Sequence, residues 1–225
     1  ARRLALTLTQ TCQGLGTPAT ALLTSMEQPL GQSVGNSLEI VETIDVLSGE
    51  GPVDLVKLIL ALGERMLAHG QVAEGEEAIA LLESKIRSGA AMESFRSMVD
   101  AQGGDLKALD NPERLPMAPL TIPVSATDSG YLEKVDAEAI GRACVILGAG
   151  RKAAGDSIDS AVGVSSIRKI GEDVQQGDPL AVIHAREEPE MELILPEIAK
   201  AFSISNNRVE SPPLISALIE GKKGS

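Results

Sequence analysis

Hydrophobic residues recur at helical spacing through most of the first half of the chain. Leu4, Leu8 and Cys12 share one face and predict a helix at the start. Apolar residues then continue at this spacing over 33–47, 53–69, 72–88 and 90–101, and a glycine follows each run. One strand-length run, 18–24, lies between the first two helices. We therefore expect a helix–strand unit followed by packing helices, as in part of an α/β domain.

The pattern changes after three closely spaced prolines, Pro112, Pro116 and Pro119, which no helix accommodates. Beyond them, short strand-like runs alternate with Gly and Asp turns, and Asp136 is placed to cap a helix. These runs are 120–124, 130–135, 163–167 and 179–184, with an acidic helix around 190–201. The second domain is therefore predicted to be α+β, a small barrel or sandwich.

The predicted organisation has three parts: a first domain over 1–111, a linker over 112–119 and a second domain over 120–225. Lys222 and Lys223 are expected to form a solvated end.

Charge and composition narrow the classes of partner. The formal net charge is −12 and the isoelectric point is near 4.7, so the field of the protein repels phosphate backbones and anionic lipids. Trp is absent, and the aromatic residues are Phe95, Tyr131 and Phe202, which leaves little for stacking on bases. The chain also has no apolar stretch long enough to span a membrane. Neither a nucleic acid nor a membrane is expected as a partner.

Cys12 and Cys144 fit no metal-ligand spacing and are expected to be buried free thiols in a reducing cytoplasm. The chain begins with Ala1 at the start of a predicted helix, which we interpret as a truncated start. Thr7 and Thr9 interrupt the apolar run that an export signal needs.

Few residues offer catalytic or metal chemistry. His69 and His184 are the two histidines of the sequence, so few ligands are available for a zinc or iron site. A hard cation remains possible, because the loop over 26–31 offers carbonyl oxygens and the following helix carries Glu42. For Glu42 and the nearby Asp45 two interpretations remain open. Each is either a solvent-exposed acid at the edge of the apolar helix face or a carboxylate that takes part in a binding site.

Two glycine-containing segments allow more than one interpretation. Residues 148–150 follow a helix rather than a strand, so they indicate a helix end and a loop rather than a dinucleotide site. Arg151 and Lys152 in that loop are solvated cations or anion contacts. Residues 171–180 predict a hairpin of the kind used by biotinyl and lipoyl carriers, and Lys134 is the candidate attachment lysine, although it lacks the usual flanking residues.

Several motifs occur in one order along nearly the whole chain. They are 20–31 (TALLTSMEQPLG), 34–40 (VGNSLEI), 49–52 (GEGP), 101–105 (AQGGD), 147–151 (LGAGR), 161–163 (AVG) and 177–180 (GDPL). In this order they resemble the pyrimidine-nucleoside and thymidine phosphorylase family, of whose chain this sequence resembles the C-terminal half.

The resemblance implies a cytoplasmic homodimer of nucleoside salvage. Phosphate attacks C1′ of a pyrimidine nucleoside with inversion, which releases the free base and an α-pentose 1-phosphate. The family's phosphate loop and its base-binding residues fall before residue 1, so no catalytic residue is assigned here. A phosphorylase of nucleoside monophosphates and a non-enzymatic biotinyl or lipoyl-like module are the alternatives.

One family site falls on this sequence: a monovalent cation, usually potassium, bound by carbonyl oxygens and by a glutamate. Matching residue by residue gives Leu30, Ser33 and Glu42. Ser33 stands where the family often has Ala, and Ser25 replaces a frequent Asp. The resemblance also makes Arg151 and Lys152 candidates for lid residues over the cleft.

Overall fold

The computed structural model describes residues 1–221, and the expectation for Lys222 and Lys223 lies outside the described residues. Helices dominate the first half of the chain, and strands occur mainly in the second. The helices are α1 (Arg2–Gly14), α2 (Asn36–Ser48), α3 (Val53–His69), α4 (Gly75–Arg87), α5 (Ala90–Ala101), α6 (Lys107–Asp110), α7 (Ala137–Leu147) and α8 (Glu188–Ala199), with a 3₁₀ turn at Pro112–Arg114.

The strands form one pair and two three-stranded sheets. They are β1 (Thr20–Thr24), β2 (Leu120–Ser125), β3 (Gly130–Val135), β4 (Gly163–Ser165), β5 (Asp173–Val174), β6 (Pro179–Ala185), β7 (Phe202–Ser205) and β8 (Ile215–Glu220). The orders are β1-β8, β2-β6-β4 and β5-β3-β7, and every pairing is antiparallel. No helix within residues 1–221 is long and apolar enough to cross a membrane.

Local signals place several helix ends where the sequence predicts them. Gly49 ends α2 in the left-handed conformation, with φ of 89°. At the start of α7 the Asp136 carboxylate accepts a hydrogen bond from the Ala139 N–H at 2.9 Å. The predicted helix over 72–88 is shorter in the structure, because α4 begins only at Gly75.

The main core lies between the two three-stranded sheets and the helices α7 and α8. Its fully buried side chains include Leu132, Ile140, Ile183 and Ile194. The prediction of a barrel is wrong for the described part of the chain, because both three-stranded sheets are open. The prediction that the chain combines helices and sheets is confirmed. Helices, rather than further strands, complete the burial of the sheets.

The segment over 171–180 is not the predicted hairpin. Strand β5 pairs with β3, whereas β6 pairs with β2 and β4, so the two strands flanking the turn belong to different sheets. The turn therefore carries the chain from one sheet to the other. Lys134 lies within β3 and forms an ion pair with Asp136 at 2.8 Å, away from that turn.

Strand β8 returns to the first part of the chain. It pairs with β1, and Ile219, which is 6% exposed, lies opposite Ala21. The two halves also meet where α2 begins. Val34 forms a bridge with Val164, and the backbones of Gly35 and Gly163 approach so closely that a Cβ atom on Gly35 would lie 3.1 Å from the Gly163 Cα. This junction fixes the loop that precedes α2.

Candidate functional site

The loop between β1 and α2 carries the residues that the sequence singled out. Gly31 adopts φ of +67°, a conformation that favours glycine, and turns the chain there. The Gly35 N–H donates to the Glu39 carboxylate at 3.0 Å, which fixes the entry into α2. From this start, Glu42 lies on the inner face of the second helical turn, where its side chain returns to the loop.

Glu42 is a buried carboxylate held against the loop backbone. It is 8% exposed, and its Oε1 atom accepts a hydrogen bond from the Gln32 N–H at 2.7 Å. Burial raises the pKa of Glu42 above its ordinary value, while the Gln32 N–H, Ser33 and the Lys169 ammonium each act to lower it. Asp45, on the same helix, is exposed. Of the two acids, Glu42 is therefore the one directed inward.

Lys169 approaches the same loop from the segment between β4 and β5. Its ammonium donates to the Pro29 carbonyl at 2.6 Å, to the Gly31 carbonyl, and to Asp54 Oδ2 at 2.8 Å. The next residue continues the contact, because the Ile170 N–H donates to the Gln28 side-chain carbonyl at 2.8 Å. Two consecutive residues thus hold both ends of the turn.

Asp54 connects this loop to α3. It lies in the first turn of that helix, where a carboxylate is favoured, and its Oδ2 atom also accepts a hydrogen bond from the Gly31 N–H at 3.3 Å. The Lys169 and Asp54 side chains are 15% and 25% exposed. This ion pair is therefore better shielded from water than an ordinary surface pair.

Two cavities flank the loop. One, of about 540 Å³, has an acidic wall containing Glu42, Asp45 and Glu50, together with Ser33. The other, of about 490 Å³, is lined by Asp54 and Lys169, among others. They share Gln32, Pro52 and Val53 as a common wall.

Ser33 and Glu42, two of the three predicted ligands, line the same cavity. Leu30 lies one residue before Gly31 and is 39% exposed. Among the described residues, no group of three or more His, Cys, Asp or Glu side chains is placed to hold a metal ion. A cation at this loop would therefore depend on backbone carbonyls in addition to Glu42, as the sequence-based assignment requires.

Arg151 and Lys152 are exposed in the loop after α7. The Lys152 ammonium is 3.4 Å from the Ile146 carbonyl, and the Arg151 Nε atom is 3.3 Å from the Asp156 carbonyl. Both contacts are within the loop or to its own helix. The loop is connected to α2 through the Asn36 side chain, which donates to the Ala149 carbonyl at 3.0 Å.

Sequence reasoning missed three features of this region. They are the hydrogen bonds from Lys169 to the loop carbonyls, the ion pair of Lys169 with Asp54, and a hydrogen bond between Ser165 and His184. The Ser165 hydroxyl lies 2.8 Å from His184 Nε2, and burial lowers the pKa of His184. The register of β4 against β6 brings these two side chains together, because Ser165 pairs with Val182 and Gly163 with His184. No local sequence signal reports such a register.

Comparison with known proteins agrees with the motif order. Residues 131–205 match the family model for "Pyrimidine nucleoside phosphorylase C-terminal domain". The chain is 41% identical over 206 residues to "Pyrimidine-nucleoside phosphorylase" of Staphylococcus aureus strain USA300, and it has the same identity to that of strain bovine RF122 / ET3-1. Each match covers 91% of this chain and 47% of the relative, so the chain spans about half the length of these relatives.

These findings define the class as the C-terminal part of a nucleoside phosphorylase, built of mixed helices and open sheets. The chain belongs to the pyrimidine-nucleoside phosphorylase family. The resemblance noted in its motifs is confirmed.

Proposed function

We propose that the full-length protein is a pyrimidine-nucleoside phosphorylase that cleaves uridine, thymidine or deoxyuridine with phosphate. A phosphate oxygen forms the new bond to C1′, the C1′–N bond breaks, and the base departs with the bonding electrons and takes up a proton. The observation that carries the proposal is the 41% identity that extends over 91% of this chain. The products are the free base and an α-pentose 1-phosphate.

Within that enzyme, we assign this chain a supporting role. From the resemblance, we expect the phosphate and base contacts to lie before residue 1. Such catalysis depends on positioning and on electrostatic stabilisation of a cation-like pentosyl group. We therefore expect residues 1–225 alone to be inactive. We also expect the full-length protein to be a cytoplasmic homodimer, as the resemblance implies.

The cation site is the second part of the proposal. Leu30 and Ser33 would contribute carbonyl oxygens and Glu42 its carboxylate, and the ion would be potassium. The residues present suit such an ion in two ways: Glu42 is a carboxylate in a buried position, and it shares its surroundings with Asp54 and a single ammonium, that of Lys169. That set leaves one negative charge unbalanced, which a monovalent cation would neutralise. The ion would supply charge neutralisation and brace the loop.

The activity is tested by phosphate-dependent release of uracil or thymine from the full-length protein. We expect release from at least one of uridine, thymidine and deoxyuridine, and none when phosphate is omitted. Absence of release from all three nucleosides would overturn the proposal. Uridine monophosphate serves as a parallel substrate, and cleavage of it alone would indicate the monophosphate phosphorylase instead. Turnover by purified residues 1–225 would refute the supporting role.

A further inference from the structure

The ammonium of Lys169 donates hydrogen bonds to three oxygens at this loop. Two are the Pro29 and Gly31 carbonyls, and the third is Asp54 Oδ2. An ammonium has three N–H donors, so these three acceptors satisfy it completely. Because its side chain is only 15% exposed, water has little access to replace these contacts.

The carboxylates around the loop come from two different helices. Glu42 of α2 binds the Gln32 N–H, and Asp54 of α3 binds the Gly31 N–H, so successive backbone amides of one turn face two acids. We call Glu42, Asp54 and Lys169 the loop charge cluster. With Lys169 present, the cluster carries one unbalanced negative charge; without Lys169 it would carry two, beside two unpaired carbonyls.

We propose that Lys169 is a positioning residue that determines the valence of the cation bound at this loop. By neutralising Asp54 and holding the Pro29 and Gly31 carbonyls, it restricts the loop to a monovalent ion. This inference rests on the proposed cation site and concerns selectivity, which that proposal leaves open.

The physical reason is the charge and number of the oxygen ligands. Calcium takes six to eight oxygens, commonly including carboxylates, and its affinity rises with the charge of the ligand set. Two carboxylates with two loop carbonyls approach that requirement, whereas one free carboxylate with carbonyls does not. Lys169 thus acts as a tethered cation that occupies one of these two carboxylates and both of these carbonyls.

The test compares Lys169→Met with the parent in the full-length protein. Methionine keeps most of the aliphatic stem but removes the charge and the donors. Thermal unfolding midpoints are measured against KCl and, separately, CaCl₂, with choline chloride holding the ionic strength constant. The matched control is Lys57→Met, because Lys57 is an exposed lysine that lines the same cavity as Lys169.

We expect KCl to stabilise the parent and Lys57→Met with the same half-effect concentration. In Lys169→Met, stabilisation by CaCl₂ should appear at a concentration at least tenfold lower than in the parent. A Lys169→Met protein that keeps the parent's preference for potassium over calcium would overturn the role of Lys169 and leave the cation site standing. A parent that shows no specific response to KCl would overturn both.

A second variant decides the matter if Lys169→Met does not fold. Asp54→Asn retains Lys169 and removes one negative charge, so the loop charge cluster becomes neutral. We expect its half-effect concentration for KCl to rise at least fivefold. An unchanged KCl response in a folded Asp54→Asn protein would contradict the proposal, because charge balance would then not control binding.

Discussion

Lys169 Nζ lies 2.8 Å from Asp54 Oδ2, although 115 residues separate the two side chains in sequence. The contact joins the start of α3 to the segment between β4 and β5, and it encloses the turn at Gly31 between them. The conformation of the loop before α2 is therefore set by the second half of the chain as well as by its own glycine. Changes at this junction are expected to affect cation binding and stability together.

Glu42→Gln is expected to weaken potassium activation of the full-length enzyme. The amide keeps the size of the side chain and removes the charge that a cation would neutralise, so the half-effect concentration of potassium should rise at least tenfold, or about 1.4 kcal/mol. The control is Asp45→Asn, which removes an exposed acid from the same helix and the same cavity wall. If the variant depends on potassium as the parent does, Glu42 is not a ligand of the ion.

Gly31→Ala tests the close packing of the turn against Glu42. A Cβ atom at Gly31 would lie 2.9 Å from Glu42 Cδ, in addition to the cost of φ at +67°. Gly16→Ala is the matched control, because Gly16 has φ of +78° with nothing within 4 Å of a Cβ atom. We expect Gly31→Ala to reduce the free energy of unfolding by about 1–3 kcal/mol more than the control does. Equal losses would show that Glu42 moves freely.

The stability of the protein should fall as the pH drops below the ordinary pKa of histidine, in part because of His184. Burial lowers the pKa of His184, so the unfolded chain binds the proton more readily than the folded one. Its contribution is fully present above the unfolded pKa, near 6.5, and is lost as the pH falls through the lower folded pKa. Unfolding of His184→Gln at several pH values should show a smaller dependence over this range. A His184→Gln protein with the same pH dependence as the parent would refute the assignment.

Ile219→Ala tests the pairing of β8 with β1. Ile219 is 6% exposed, so removal of its buried methyl groups should cost about 2–4 kcal/mol and lower the midpoint of thermal unfolding. Leu218→Ala, at the adjacent position and 48% exposed, provides the control and should cost well under half as much. If the two variants lose stability equally, the register of this strand pair is different from that described.

The sequence predicted the helices well because their signals are local. Apolar spacing marked α2, α3 and α5, and residues that end or cap helices, such as Gly49 after α2 and Asp136 before α7, lie next to those helices in the chain. Strands were predicted less completely. Strand β5 has two residues and β7 has four, and such short runs carry too little periodicity to be distinguished from loops.

Of the candidate site, the order of the motifs indicated the loop and Glu42, and burial of Glu42 agrees with a carboxylate directed inward. The sequence alone thus determined most of the helices, the loop over 26–31 and the family of the chain. Tertiary structure decided that the sheets stay open, that β8 joins β1, and that Lys169 reaches Asp54. The physical reason is range: helical periodicity and caps act over a few residues, whereas strand register and an ion pair across 115 residues depend on how the whole chain packs.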